Sequence, residues 1–134
     1  MADTVLNTTV FDGAKKLITH YNVVSDSTGG TTKIVDVSAL TSNNGKTCQT
    51  VRLNKVSFNV SVTAPVDSIR MLWDAGTDVV FQTLNGEMEY DYSSFGGLKN
   101  TKATSYTGDV NVTLPACTSG DSATVVCEWI KVYE

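Results

Sequence analysis

Histidine, proline and cysteine are scarce in this chain, and no catalytic motif is present. One histidine and two prolines stand among 134 residues. A zinc site needs several nitrogen or sulfur ligands, and His20 has neither a second histidine nor cysteines at metal-ligand spacing to join it. A serine triad needs a positioned base and an orienting carboxylate. Only His20 could be that base, and no nucleophile-elbow sequence accompanies it, so His20 reads as an ordinary strand residue. Glycosidase chemistry needs two carboxylates across a cleft, and nothing singles out a pair among the 14 acidic residues. No catalytic residue, cofactor or metal site is expected, and the chain does not read as an enzyme.

Positive charge is also sparse. The net charge of −4 argues against nucleic acid and against an anionic membrane surface, because both need a basic face. No apolar run approaches the ~20 residues of a membrane span. The start Met1-Ala-Asp-Thr4 lacks a basic region followed by an apolar run, so no secretory signal is expected. Cys48, Cys117 and Cys127 are then expected as reduced, buried small hydrophobes. Cys117 and Cys127 flank the turn Thr118-Ser-Gly-Asp121 out of register, which disfavours a disulfide. Without a secretory signal, the glycosylation patterns at Asn7, Asn59 and Asn111 read as chance.

What is present is β-forming. Hydrophobic residues make up 41% and charged residues 18%, and Thr, Val, Ser and Asn are abundant. The length suits one domain, residues 1–134, burying roughly two-thirds of its unfolded surface. The strongest apolar stretch is a predicted hairpin. Ile69, Met71 and Trp73 alternate with Arg70, Leu72 and Asp74, turn residues follow, and Val79-Val-Phe81 opens the return strand. Strands are also predicted over residues 4–10, 15–25, 33–37, 49–63, 87–92, 106–114 and 122–133. In the second of these both faces carry apolar residues, so cover on each side is expected. One helical turn is expected near Ala39-Leu40. In the longest strand, Val51 and Leu53 share one parity and Val56, Phe58, Val60 and Val62 the other. A β-bulge at Asn54-Lys55, or a crossing between sheets there, would turn both sets to the core. Val110, Val112 and Leu114 are expected to face inward against Asp109, Asn111 and Thr113. Turn chemistry accounts for Asp74, Asp78, Asp109 and Asp121. Eight to nine strands without a convincing helix indicate an all-β fold, an antiparallel β-sandwich of jelly-roll-like form.

The candidate contact residues lie after the hairpin. Glu87, Glu89 and Asp91 alternate with Met88, Tyr90 and Tyr92. Three carboxylates on one strand face suit a solvated edge that deters aggregation, or an acidic stripe matched to a basic partner. The loop that follows, Ser93-Ser-Phe-Gly-Gly-Leu-Lys-Asn100, offers Phe95 and Leu98 as exposed apolar residues, and its paired glycines permit left-handed backbone or close approach. Phe95 either plugs the end of the core or meets a partner. Glu87, Glu89, Tyr90, Asp91, Tyr92, Phe95 and Leu98 are the candidate partner-binding set.

Several segments together resemble small virion proteins of tailed bacteriophages that are similar to capsid decoration (cement) proteins. They are Ala2-Asp-Thr-Val-Leu-Asn-Thr-Thr-Val-Phe-Asp-Gly-Ala14, Leu53-Asn-Lys-Val-Ser-Phe58, Met71-Leu-Trp-Asp74, Phe95-Gly-Gly-Leu-Lys-Asn100 and Thr107-Gly-Asp-Val110. The resemblance implies a non-enzymatic β-rich protein, made in the host cytoplasm, that binds the major capsid protein on the outer surface of the phage head. It also implies a homo-oligomer, with a trimer favoured. Two other readings are a tail or neck component, and a lectin-like module whose exposed aromatics, Tyr90, Tyr92, Phe95 and Tyr106, would stack on host glycans.

Overall fold

The structure, a computed structural model, describes residues 4–42, 45–63, 68–99, 107–116 and 118–133. Nine strands carry it: β1 Thr4–Asp12, β2 Lys16–Val24, β3 Gly30–Val35, β4 Cys48–Ser61, β5 Ile69–Trp73, β6 Val79–Leu84, β7 Gly86–Asp91, β8 Val110–Leu114 and β9 Ser122–Tyr133. Short 3₁₀ turns stand at Val37–Ala39 and Ser93–Phe95. The first is the helical turn expected near Ala39.

All pairings are antiparallel and form two sheets, β1-β2-β9-β4-β7 and β3-β8-β5-β6. From β2 onward the chain changes sheet at each connection except β5 to β6. Strands 2, 9, 4 and 7 lie over strands 3, 8, 5 and 6, which is the strand order of an eight-stranded jelly roll. β1 is an addition at one edge. The fold is the expected antiparallel β-sandwich.

One core lies between the sheets. Leu17, Tyr21 and Val23 of β2, Val51, Leu53, Val56, Phe58 and Val60 of β4, and Val125, Cys127 and Trp129 of β9 face Ile69, Met71 and Trp73 of β5 and Val110, Val112 and Leu114 of β8. The Trp129 indole donates from Nε1 to Thr19 Oγ1 at 3.0 Å, so its polar atom is satisfied where burial is complete. The predicted hairpin is β5–β6, and Trp73 stacks on Phe81 with ring centroids 4.0 Å apart.

The parity switch in β4 is a bulge. Leu53 pairs with Trp129 and Lys55 with Glu128, leaving Asn54 as the extra residue. One inserted residue restores inward facing to Val56, Phe58 and Val60, all 4% exposed or less. β9 runs to Tyr133 without interruption and pairs with both β2 and β4.

Some expectations change. The third strand runs 30–35, and Val37 belongs to the 3₁₀ turn. The outer face of β2 is only partly covered: Ile18, His20 and Asn22 are half-buried and Val24 is 44% exposed. β8 begins at Val110, and Tyr106 lies outside the described residues. Asp109 and Asn111 are buried rather than solvated. Asp109 accepts from the Val37 N–H and from Lys33 Nζ, both at 2.9 Å, and Asn111 Nδ2 donates to Asp74 and Asp78 at 3.3 and 3.4 Å. These partners roof the outer face of β8 at that end. The Asp109 hydrogen bond and charge raise the Lys33 pKa.

Cys48 and Cys127 are free and buried, and burial pushes the Cys127 thiol up to about 12. Cys117, the 64–67 segment containing Pro65, and Asn100 lie outside the described residues.

Candidate partner-binding surface

β7 is the outer strand of the five-stranded sheet and, among the described residues, is hydrogen-bonded on one side only, to β4. Its register decides which way each side chain points. Met88 and Tyr90 lie opposite Phe58 and Val56, which face the core. Glu87, Glu89 and Asp91 lie opposite Asn59, Ser57 and Lys55 on the outer face. The acidic stripe is therefore real, and Asp91 has a cation across the strand. Hydrogen bonds from the Ser93 side chain and from its backbone N–H, the latter at 2.8 Å, hold the Asp91 carboxyl below its ordinary pKa. Glu87 and Glu89 border a shallow groove of about 430 Å³ with Ser57, Asn59, Thr124 and Val126.

The core side of the strand carries an aromatic series. Ring centroids run Phe58–Tyr90 at 5.9 Å, Tyr90–Tyr92 at 6.2 Å and Tyr92–Phe95 at 5.9 Å. The series begins in the core and ends in solvent, with Phe58 4% and Phe95 62% exposed. Phe95 does not plug the core end. Tyr92 is the fixed point, because its hydroxyl donates to Gln82 Oε1 of β6 at 2.6 Å. Burial raises its pKa, with a smaller contribution from Tyr90.

The loop after β7 is held by backbone bonds. Tyr92 N–H donates to the Asn54 carbonyl at 2.7 Å, Gly97 N–H to the Tyr92 carbonyl at 3.0 Å, and Leu98 exchanges both bonds with Leu53 at 2.8 and 2.9 Å. Gly96 and Gly97 take left-handed φ of +83° and +97°, and a Cβ on Gly97 would stand 3.0 Å from Arg52 Cβ. Left-handed backbone and close approach thus meet in one dipeptide. The turn sends Phe95 out and Leu98 in. Leu98, expected as an exposed contact, instead packs against the core, because its bridge to Leu53 ties it to the sheet.

The structure brings together Glu87, Glu89, Tyr90, Asp91, Tyr92 and Phe95 along one rim. It adds residues that sequence reasoning missed. Arg52 and Lys99 line a second hollow of about 300 Å³ with Phe95, Gly97 and Leu98. The rim thus carries carboxylates on its outer face and cations beside its aromatic tip. Nothing in the local pattern of Arg52 marks it, because only the loop's return to Leu53 places Phe95 beside it.

Asn54 connects the bulge to this rim. Its backbone carbonyl takes the Tyr92 N–H, and its side chain donates to Glu128 at 2.8 Å. Deleting Asn54 restores regular alternation in β4, so the core should survive with a cooperative melt. The loop anchor should not. Amide hydrogen exchange should show lost protection at Tyr92 and Leu98 with protection retained at Val125 and Cys127.

His20 lies opposite Thr8 and Val126 on the outer face of its sheet. Among the described residues no three His, Cys, Asp or Glu side chains are grouped to hold a metal ion. No helix among them is long and apolar enough to cross a membrane.

No protein-family model matches the chain, and comparison with curated proteins gives no match. Among solved structures, a cupin domain from Bordetella pertussis Tohama I is similar with a TM-score of 0.40 and 14% identity, over 98% of this chain and 97% of that one.

Proposed function

We propose that this protein is a non-enzymatic virion component that decorates the outer surface of a tailed-phage head, binds the major capsid protein and reinforces the shell. The observation that supports this reading most is the rim formed by β7 and the Phe95 loop. It presents Glu87 and Glu89, the exposed Phe95 and the cations Arg52 and Lys99 on one braced edge. A mixed-charge surface around a protruding aromatic suits an extended protein partner, where buried aromatics dominate affinity and charges set register and on-rate. Bracing by Gln82, Asn54 and Leu53 reduces the ordering cost of binding. The five segments that resemble decoration proteins include the Phe95 loop itself.

Binding to purified heads stripped of this protein tests the reading. Phe95→Ala should weaken binding by about 2 kcal/mol, on the order of thirtyfold in Kd, without lowering the melting temperature. Glu87→Lys with Glu89→Lys should slow association and reduce its salt dependence. Full-strength binding by both variants would move the contact surface elsewhere, and no binding by the unmodified protein would remove the proposal.

A second reading rests on the same exposed Phe95 and the Tyr90 ring, a lectin-like module stacking on glycans. Tyr92 serves it poorly, because its hydroxyl is committed to Gln82. A glycan array without hits above background would remove it.

A further inference from the structure

Lys16, Lys33 and Lys131 pair with Glu128, Asp109 and Asp12, and Lys55 stands across the strand from Asp91. Arg52 and Lys99 have no such answer. Among the described residues, neither side chain makes an ion pair or a hydrogen bond. Residues 92–108 hold two lysines and no acidic residue. Glu128, the nearest carboxylate on β9 in register, is taken by Lys16 at 3.0 Å and by Asn54 at 2.8 Å.

Arg52 is nevertheless held in place. It lies opposite Ile130 and is half-buried on the outer face of the sheet. Its side chain runs along the Gly96-Gly97 turn: a Cβ on Gly97 would stand 3.0 Å from Arg52 Cβ, and one on Gly96 would stand 3.7 Å from Arg52 Nη1. The bonds between Leu98 and Leu53 pin that turn to β4. The guanidinium therefore forms one wall of the hollow of about 300 Å³ whose other walls are Phe95, Leu98 and Lys99. This volume is at the low end for ligand pockets, which suits side chains of a partner rather than a folded surface. The planar fork of an arginine matches a carboxylate through two parallel hydrogen bonds, and Lys99 adds a second positive charge. Phe95 and Leu98 supply an apolar wall that a bare anion would leave uncovered.

We infer that this hollow receives an acidic side chain, carried beside an apolar residue on an extended segment of a partner protein. The sheet edge supports the extended form. Leu98 continues the pairing of β4 past the end of β7 through its bridge to Leu53, so one rim runs from Glu87 to Lys99. A segment lying along it meets carboxylates at the Glu87 end and cations at the Phe95 end, and this opposition fixes its direction. That the segment belongs to a shell protein rests on the function proposed above. The preference of the hollow for a carboxylate does not.

Heteronuclear NMR of the full chain tests this, with the blocked tetrapeptide acetyl-Gly-Leu-Glu-Gly-amide titrated to millimolar concentration at low salt. Saturable shifts should be confined to the Arg52 Nε–H and the amides of Gly96, Gly97 and Lys99. The same peptide with glutamine in place of glutamate should bind about tenfold more weakly, as should the acidic peptide to Arg52→Gln. Lys99→Gln, a change on an exposed side chain, should lose a smaller part and reads the site independently of any effect of Arg52→Gln on folding. Absence of saturable shifts, an equal response to the glutamine peptide, or undiminished binding by both variants would overturn the assignment. Inorganic phosphate binding as tightly as the peptide would make the hollow a general anion site, and tighter binding of N-acetylneuraminic acid would make it an acidic-glycan site. The same shifts appearing on concentration of the protein alone would assign the hollow to a second copy. Each of these three results also overturns the inference. Peptide binding by a protein that does not bind stripped heads would uphold the hollow and remove only the shell as its partner.

Discussion

Gly108→Ala should cost about 3 kcal/mol or more and lower the urea midpoint sharply. Gly108 has a φ of +92°, and a Cβ there would stand 2.0 Å from the Gln49 carbonyl oxygen and 3.0 Å from its carbon. Left-handed backbone costs an L-residue about 1–2 kcal/mol, and overpacking adds about 1–3 kcal/mol. Both neighbours are backbone of β4, an interior strand of the five-stranded sheet, so neither can rotate away. The residues beside Gly108 are pinned, with Thr107 N–H donating to the Asp74 carbonyl at 3.0 Å and Asp74 N–H to the Asp109 carbonyl at 3.1 Å. Moving Gly108 would drag Asp109 from the Val37 N–H and Lys33. Gly120→Ala is the matched control. Its φ is +95° with nothing within 4 Å of the added carbon, so only the backbone term remains. Equal losses at the two positions would show that the contact with Gln49 is not tight.

The second large effect is expected at Lys131. Its side chain is fully buried while that of Asp12, its ion-pair partner, is 22% exposed. Lys131 Nζ also donates to the Thr41 carbonyl at 3.2 Å, and Asp12 accepts from the Thr41 N–H and hydroxyl at 2.9 and 3.0 Å. The ion pair fastens the end of β1 and the 37–41 turn to β9. Lys131→Ala removes packing and leaves a carboxylate short of its cation. Breaking a buried pair costs about 3–5 kcal/mol, and partial hydration of Asp12 brings the expectation to about 2–4 kcal/mol. Asp12→Asn with Lys131→Met removes both charges, keeps volume and leaves an oxygen for Thr41. It should lie within about 1 kcal/mol of the unmodified protein.

The same pair has an acid signature. Burial raises the Asp12 pKa, but the hydrogen bond from Lys131, the two from Thr41 and the Lys131 charge together lower it below its ordinary value. A carboxylate with a depressed folded-state pKa contributes stability that is complete above its unfolded pKa, about 3.9. That contribution is lost as pH falls through the folded value. Denaturation midpoints should therefore fall more steeply below about pH 4 in the unmodified protein than in the double variant.

Local patterns carried much of this fold. The hairpin, the alternation of Glu87–Asp91 against Met88 and Tyr90, and the bulge at Asn54 are all visible as period two or a break in it, because each depends only on neighbours in sequence. What escaped depends on distant chain. Asp109 and Asn111 alternate as solvent-facing residues should, yet Lys33 and Asp74, from β3 and the end of β5, cover them. Lys131 continues the inward parity of Val125, Cys127 and Trp129, and Asp12 and the Thr41 carbonyl, both distant in the chain, make a lysine tenable there. Leu98 looked exposed in a polar loop, and its bridge to Leu53 turned it inward. Strand order belongs to the same class, since no local signal says that β9 lies between β2 and β4. The glycines Gly97 and Gly108 were visible as residues, but what they approach, the Arg52 Cβ and the backbone of Leu53 and Gln49, was not.

On the proposed reading the rim beside β7 is the surface for a repeating partner, and stoichiometry tests that most directly. Quantitative mass spectrometry of purified virions should find this protein in a fixed, high ratio to the major capsid protein, and removing it should leave heads that burst more readily under heat. A copy number as low as that of a tail or neck component would contradict the account.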